Sequence, residues 1–102
     1  MSNIMQGSTP LNRFEFPYPA TLAEKVIVTY EQNGETVIEK TDGDVSIDGG
    51  YIVVRLSQEE TLNLSNEYDV VMQVKVKFTD GNVVPSNLIY ASVGEVLNRE
   101  VL

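Results

Sequence analysis

Tyr68, Val70, Met72, Val74, Val76 and Phe78 recur at every second position, with Asp69, Gln73, Lys75, Lys77 and Thr79 between them. Successive side chains of a strand point to opposite faces, so this alternation predicts a long half-buried β-strand. Thr79-Asp80-Gly81-Asn82 then turns the chain, and Val83 to Gly94 is predicted to run back. Pro85 has no N–H to give a ladder, so the return is expected at a sheet edge or with a bulge near Pro85.

The same reading extends upstream. Met1 to Pro10 is polar and rich in Gly, Ser, Thr and Pro, without periodicity, and is expected to be a flexible arm. Leu11 to Phe16 reads as a first strand with Phe14 and Phe16 on one face; Pro17-Tyr18-Pro19 ends it. Leu22 to Glu31 reads as a second strand, with Val26, Val28 and Tyr30 inward. Asn33-Gly34 signals a hairpin with Thr36 to Thr41. A two-residue loop would set Val28 opposite Glu39. A three-residue loop with Gly34 left-handed sets Val28 opposite Ile38, buries more apolar surface and is preferred. Val45 to Ile47 and Tyr51 to Leu56 form a hairpin around Gly49-Gly50, with Ile47 opposite Ile52 and Val45 opposite Val54. Val53 and Arg55 are expected to point out. Ser57-Gln58-Glu59-Glu60 has the form of a capping box, in which Ser57 and Glu60 exchange hydrogen bonds with each other's backbone N–H. One helical turn follows. Glu95 to Leu102 fits either a strand extension or a short helix.

About seven strands with regular turn signals specify an all-β antiparallel fold with one short helical turn. The run Leu56 to Val74 resembles the crossing between the fifth and sixth strands of immunoglobulin-like and fibronectin-like sandwiches. Its Tyr68-Asp69-Val70-Val71-Met72-Gln73-Val74 matches their Tyr-x-Val-x-apolar-x-Val strand. The resemblance implies an immunoglobulin-like antiparallel β-sandwich, and for Tyr68 a corner role, its hydroxyl bonding backbone upstream. One feature departs from that family: Asn33-Gly34 makes a same-sheet hairpin where the second and third strands should lie in opposite sheets.

A second resemblance covers most of the chain. The stretches Met5 to Pro10, Val28 to Gly34, Leu56 to Leu62 and Val93 to Leu97 resemble small proteins encoded among the virion structural genes of phages and prophages. It implies an accessory role in a tail, baseplate or fibre. It carries no catalytic motif.

Composition narrows the function. The 102 residues fit one domain, and 42% apolar content suits a folded one. Fifteen acidic side chains against seven basic ones give a net charge of −8, which repels phosphate backbones and anionic membranes. There is no cysteine and no histidine, so thiolate chemistry and the usual neutral-pH base are absent. No apolar run approaches the ~20 residues that span a bilayer, and the first residues do not read as a signal peptide. Cytoplasmic expression, with virion association, is the expectation.

The candidate chemistry is thin. Asp42, Asp44, Ser46 and Asp48 alternate as calcium-loop ligands do, but Ile47 and Val53 stand where a glycine and a bidentate glutamate are needed. The expectation is no metal, no cofactor and no catalytic residue. Lys25, Lys40, Lys75 and Lys77 alternate with apolar residues and should face solvent. The expected organisation is a flexible arm (1–10), a sandwich (11–95) and a C-terminal tail (96–102). Tyr68, Ser57, Glu60, Gly34, Gly49 and Gly50 are the predicted structural residues. The leading function is a non-enzymatic module acting through a protein partner or self-association. Its candidate interface is Pro85, Val96, Leu97, Val101 and Leu102, on the outer edge of the return strand and the tail. The alternative is a carbohydrate- or surface-binding adhesion module using exposed tyrosines such as Tyr18 and Tyr51.

Overall fold

The computed structural model describes residues 2–16 and 22–102. Its elements are β1 (Ser2–Met5), β2 (Leu11–Glu15), β3 (Ala23–Gln32), β4 (Glu35–Thr41), β5 (Val45–Asp48), β6 (Tyr51–Arg55), α1 (Gln58–Leu62), β7 (Val70–Phe78), β8 (Val83–Pro85) and β9 (Ile89–Gly94). One sheet has the order β1-β9-β7-β3-β4, with β8 also on β7; the other has the order β2-β6-β5. Pro17-Tyr18-Pro19 lies outside the described residues.

The long strands bury the face their alternation marks, whereas on β5 Val45 is only half-buried and Ile47, expected inward, is exposed. Val70, Met72, Val74, Val76 and Phe78 of β7 share one core with Val26, Val28 and Tyr30 of β3. Phe14, Ile52, Val54 and Leu56 come to the same core from the second sheet. The rings of Phe16 and Phe78 tilt against each other with centroids 6.0 Å apart. The chain is therefore a β-sandwich, and its strand order is that of an immunoglobulin-like domain.

The N-terminal residues correct one expectation. Ser2–Met5 is not a flexible arm but a strand, paired in parallel with Ala91–Gly94 of β9. Ile4 sinks into the core at 2% exposure. Gln6 is also buried; its Nε2 donates to Leu64 O at 2.6 Å, and its Oε1 accepts from Val96 N and Arg99 at 3.3 Å. Counting β1 as a strand also removes the topological departure. The Asn33-Gly34 hairpin joins the third strand to an extra one beside it, and β2, the true second strand, lies in the opposite sheet.

That hairpin differs in register from the expectation. Asn33 (φ 50°) and Gly34 (φ 79°) are both left-handed, the geometry of a two-residue turn. Tyr30, not Val28, faces Ile38, and Val28 faces Lys40. A bulge between Tyr30 and Glu31 is the cause: Val37 is the extra residue, and it keeps Ile38 inward. The Gly49-Gly50 hairpin has the predicted register, Ile47 opposite Ile52 and Val45 opposite Val54. Gly49 takes φ 61° there, and Gly50 completes the turn. The capping box is complete: Glu60 N donates to Ser57 Oγ at 3.1 Å, and Ser57 N to Glu60 Oε1 at 2.8 Å. Such a cap contributes about 1 kcal/mol.

Two glutamines hold the crossing from α1 to β7. Gln6 takes Leu64 from one side; Gln32 takes Ser65 and Tyr68 from the other. Gln32 Nε2 donates to Ser65 O and Tyr68 O, and its Oε1 accepts from Ser65 N at 2.9 Å. Tyr68 is accordingly not the corner. It is 44% exposed, and its hydroxyl has no hydrogen-bond partner among the described residues. The buried amide of Gln32 fixes the crossing by holding the Tyr68 carbonyl instead.

Candidate interaction site at the open flank

The described residues bring together no group of acidic side chains fit to hold a metal ion. Asp42 instead accepts from Val26 N at 2.8 Å, and Asp48 pairs with Arg13 at 3.2 Å. Glu60 pairs with Lys40 at 2.8 Å. Lys40 is therefore half-buried rather than solvent-facing, because β4 carries it over the capped turn. Partial burial pushes the Glu60 carboxyl up; the Lys40 ammonium and the hydrogen bonds from Ser57 outweigh it and hold the group below its ordinary value. Burial, with the Glu60 charge adding to it, raises the Tyr30 hydroxyl well above its ordinary value. It stays protonated and donates to Asn12 Oδ1 at 2.8 Å.

The predicted interface residues do not form one surface. Pro85 pairs with Lys75, whereas β9 pairs with the opposite end of β7, Val70 facing Ala91. At the strand rise, Val70 and Lys75 are about 17 Å apart. The tail departs from the far end of β9, further still from Pro85. The outer edge of β9 is moreover not free, since β1 pairs along it. Val96 is half-buried, its methyls within 3.7 and 3.9 Å of where a Gly7 Cβ would stand. Val101 and Leu102 follow a segment tied down by Arg99, whose Nη2 donates to Leu62 O at 2.7 Å. The Gln58 side-chain amide then holds the Leu102 backbone at both N–H and C=O. The tail is neither a strand nor a helix, and it is fastened to α1. Leu97 is almost fully exposed.

A different surface has the makings of a docking site. The second sheet ends at β2, and nothing pairs with the outer side of that strand among the described residues. Leu56 N donates to Pro10 O at 3.1 Å, which fixes the phase of the ladder. With β2 and β6 in antiparallel register, Asn12 and Phe14 exchange bonds with Val54 and Ile52. The N–H and C=O groups of Leu11, Arg13 and Glu15 therefore point out of the sheet. Beside this edge lies a cleft of about 420 Å³ between the two sheets. Ile4, Leu11, Phe14, Met72, Ile89 and Ala91 supply its apolar lining. The sandwich is open on this flank because β1 joins the first sheet and leaves β2 without an outer neighbour among the described residues.

Three other edges carry guards of a different kind: β8 ends in Pro85, β4 has a bulge and Lys40, and β5 is a four-residue strand that ends in Asp48. On β2, Arg13 leans the other way. It reaches across the central strand to Asp48 of β5, over Val53, which is 6% exposed although its position faces outward. Val53 thus points out of the sandwich as expected, but it is buried there. Sequence reasoning missed the flank because the missing neighbour is a fact of topology.

No family model matches the chain. Among solved structures it is similar to the immunoglobulin-like domain of mouse leukocyte-associated immunoglobulin-like receptor 1, crystallised as a strand-swapped dimer. The two are 13% identical, with 89% of this chain and 84% of that one covered and a TM-score of 0.51. The V domain of amphioxus IgVJ-C2 is 17% identical, with 90% and 98% covered and a TM-score of 0.40, too low to add to the assignment. The chain is an immunoglobulin-like β-sandwich domain. No helix among the described residues is long and apolar enough to cross a membrane.

Proposed function

We propose that this chain is a non-enzymatic interaction module that associates with itself through its open flank. One observation carries the reading: the unpaired N–H and C=O groups of Leu11, Arg13 and Glu15 stand beside an apolar cleft. Such an edge templates the pairing of another strand. The mouse receptor domain, which has the same fold, is itself described as a strand-swapped dimer. The inventory supports a role without catalysis: there is no histidine or cysteine, and Asp42, Asp48 and Glu60 are committed to structural partners. The setting we propose is a phage or prophage virion, as an accessory of tail, baseplate or fibre made in the cytoplasm. Its support is the sequence resemblance of Met5–Pro10, Val28–Gly34, Leu56–Leu62 and Val93–Leu97. The glycan-binding alternative gains no such observation. Tyr51 faces out from the second sheet, Tyr90 lies on the first and Tyr68 sits in a loop, so these exposed rings make no shared platform.

The test is sedimentation velocity over a concentration series, comparing the wild type with Arg13→Pro. Proline at position 13 removes an outward N–H and spares the bonds to β6. The wild type should sediment above its 11.3 kDa monomer mass as concentration rises, and Arg13→Pro should remain a folded monomer. A wild type that stays monomeric, or a variant that associates equally well, overturns the reading.

A further inference from the structure

We infer that two copies pair antiparallel through their β2 edges about a two-fold axis at Phe14, with Arg13 of each copy opposite Glu15 of the other. This rests on the self-association proposed above and names its register. The outward backbone groups belong to Leu11, Arg13 and Glu15, and in an antiparallel pair outward groups must meet outward groups. Three two-fold registers set at least two of these residues of each copy opposite outward residues of the other. An axis at Arg13 sets two guanidinium groups directly opposite each other, which is destabilising. An axis at Asn12 sets Arg13 against Leu11 and leaves Glu15 without an opposite charge. An axis at Phe14 matches Arg13 with Glu15 on both sides of the axis, so the edge is complementary to itself, as an isologous interface must be.

The side chains suit that register. Arg13 and Glu15 are exposed and lie on the outer face of the sheet. Cross-strand neighbours there stand with Cβ atoms about 5.5 Å apart, within reach of a guanidinium–carboxylate pair. Arg13 uses Nη1 for Asp48 and has further N–H donors for a second carboxylate. On the inner face, Phe14 of one copy meets Phe14 of the other at a close, non-hydrogen-bonded pair. Phe14 lines the cleft, so the second ring closes its mouth. The two three-stranded sheets become one continuous sheet.

Charge reversal tests the register. In Arg13→Glu two acidic groups face each other at each position; in Glu15→Arg two basic groups do. Each variant alone should dimerise about tenfold more weakly or worse, by sedimentation velocity. An equimolar mixture of the two should recover the wild-type dimer, because every pair is again acid against base. The double variant Arg13→Glu/Glu15→Arg should recover it too. Glu15→Arg leaves the Asp48 bridge intact, so its result does not depend on the folding of Arg13→Glu. Single variants that dimerise like the wild type, or a mixture that stays monomeric, overturn the register. If the wild type still associates and Arg13→Pro does not, the open-flank reading survives that failure. A monomeric wild type overturns both.

Discussion

The Tyr30 hydroxyl donates to Asn12 Oδ1 at 2.8 Å, and this bond ties β3 of one sheet to β2 of the other. Tyr30 is fully buried, so its hydroxyl has no water to turn to. The bond matters to the flank because Asn12 belongs to the open edge strand. It holds β2 in place from the inside, while no strand among the described residues pairs with its outer side.

Tyr30→Phe should therefore cost about 1–2 kcal/mol, leaving the Asn12 amide oxygen unpaired. Asn12→Ala should cost a similar amount. In urea unfolding of the two single variants and the double variant, the effects should be clearly less than additive. Additive losses would mean that the two side chains act independently.

The tail is part of the fold. Removing Glu95–Leu102 deletes Val96 N and Arg99, the donors to the buried Gln6 Oε1. Leaving that oxygen unpaired costs about 1–3 kcal/mol. The truncated chain should melt several degrees lower, and Gln6→Ala should lower the melting temperature of the full chain comparably. An unchanged melting temperature on truncation would return the tail to the status of a free arm.

Glu60 gives the fold an acid-sensitive contact. Its folded value lies below its ordinary 4.5, so its contribution is present above that value and is lost as pH falls through the depressed one. Wild-type stability should drop as pH goes from about 5 downward by more than in Glu60→Gln. Glutamine keeps the capping geometry and has no charge to titrate. Parallel acid limbs in the two proteins, by chemical denaturation at each pH, would show that the Lys40 pair does not contribute.

Much of the sandwich is legible in the chain because strands with one buried face announce themselves. Val70 to Phe78 alternates cleanly, the glycine pair at 49 and 50 sets its own register, and Ser57 with Glu60 spells out a cap. What is hidden has physical reasons. β1 is four residues long with only Ile4 sent to the core, too short for a period to show. Gln6 and Gln32 look like loop residues, and their burial depends on carbonyls distant in sequence. Val53 looks solvated until Arg13 and Asp48 are seen to meet above it. The interface expected at Pro85 and the tail is not one surface, because β8 and β9 pair with opposite ends of β7 and β1 takes the outer edge of β9. The open flank could not be read locally at all, since an unpaired edge is defined by the strand that is not there.

Amide hydrogen exchange followed by NMR tests the open edge most directly. Asn12 and Phe14 donate to β6 and should be protected at every protein concentration. Arg13 and Glu15 should exchange freely in dilute protein and become protected as the protein associates. Arg13 and Glu15 amides that still exchange freely in fully associated protein would contradict the account.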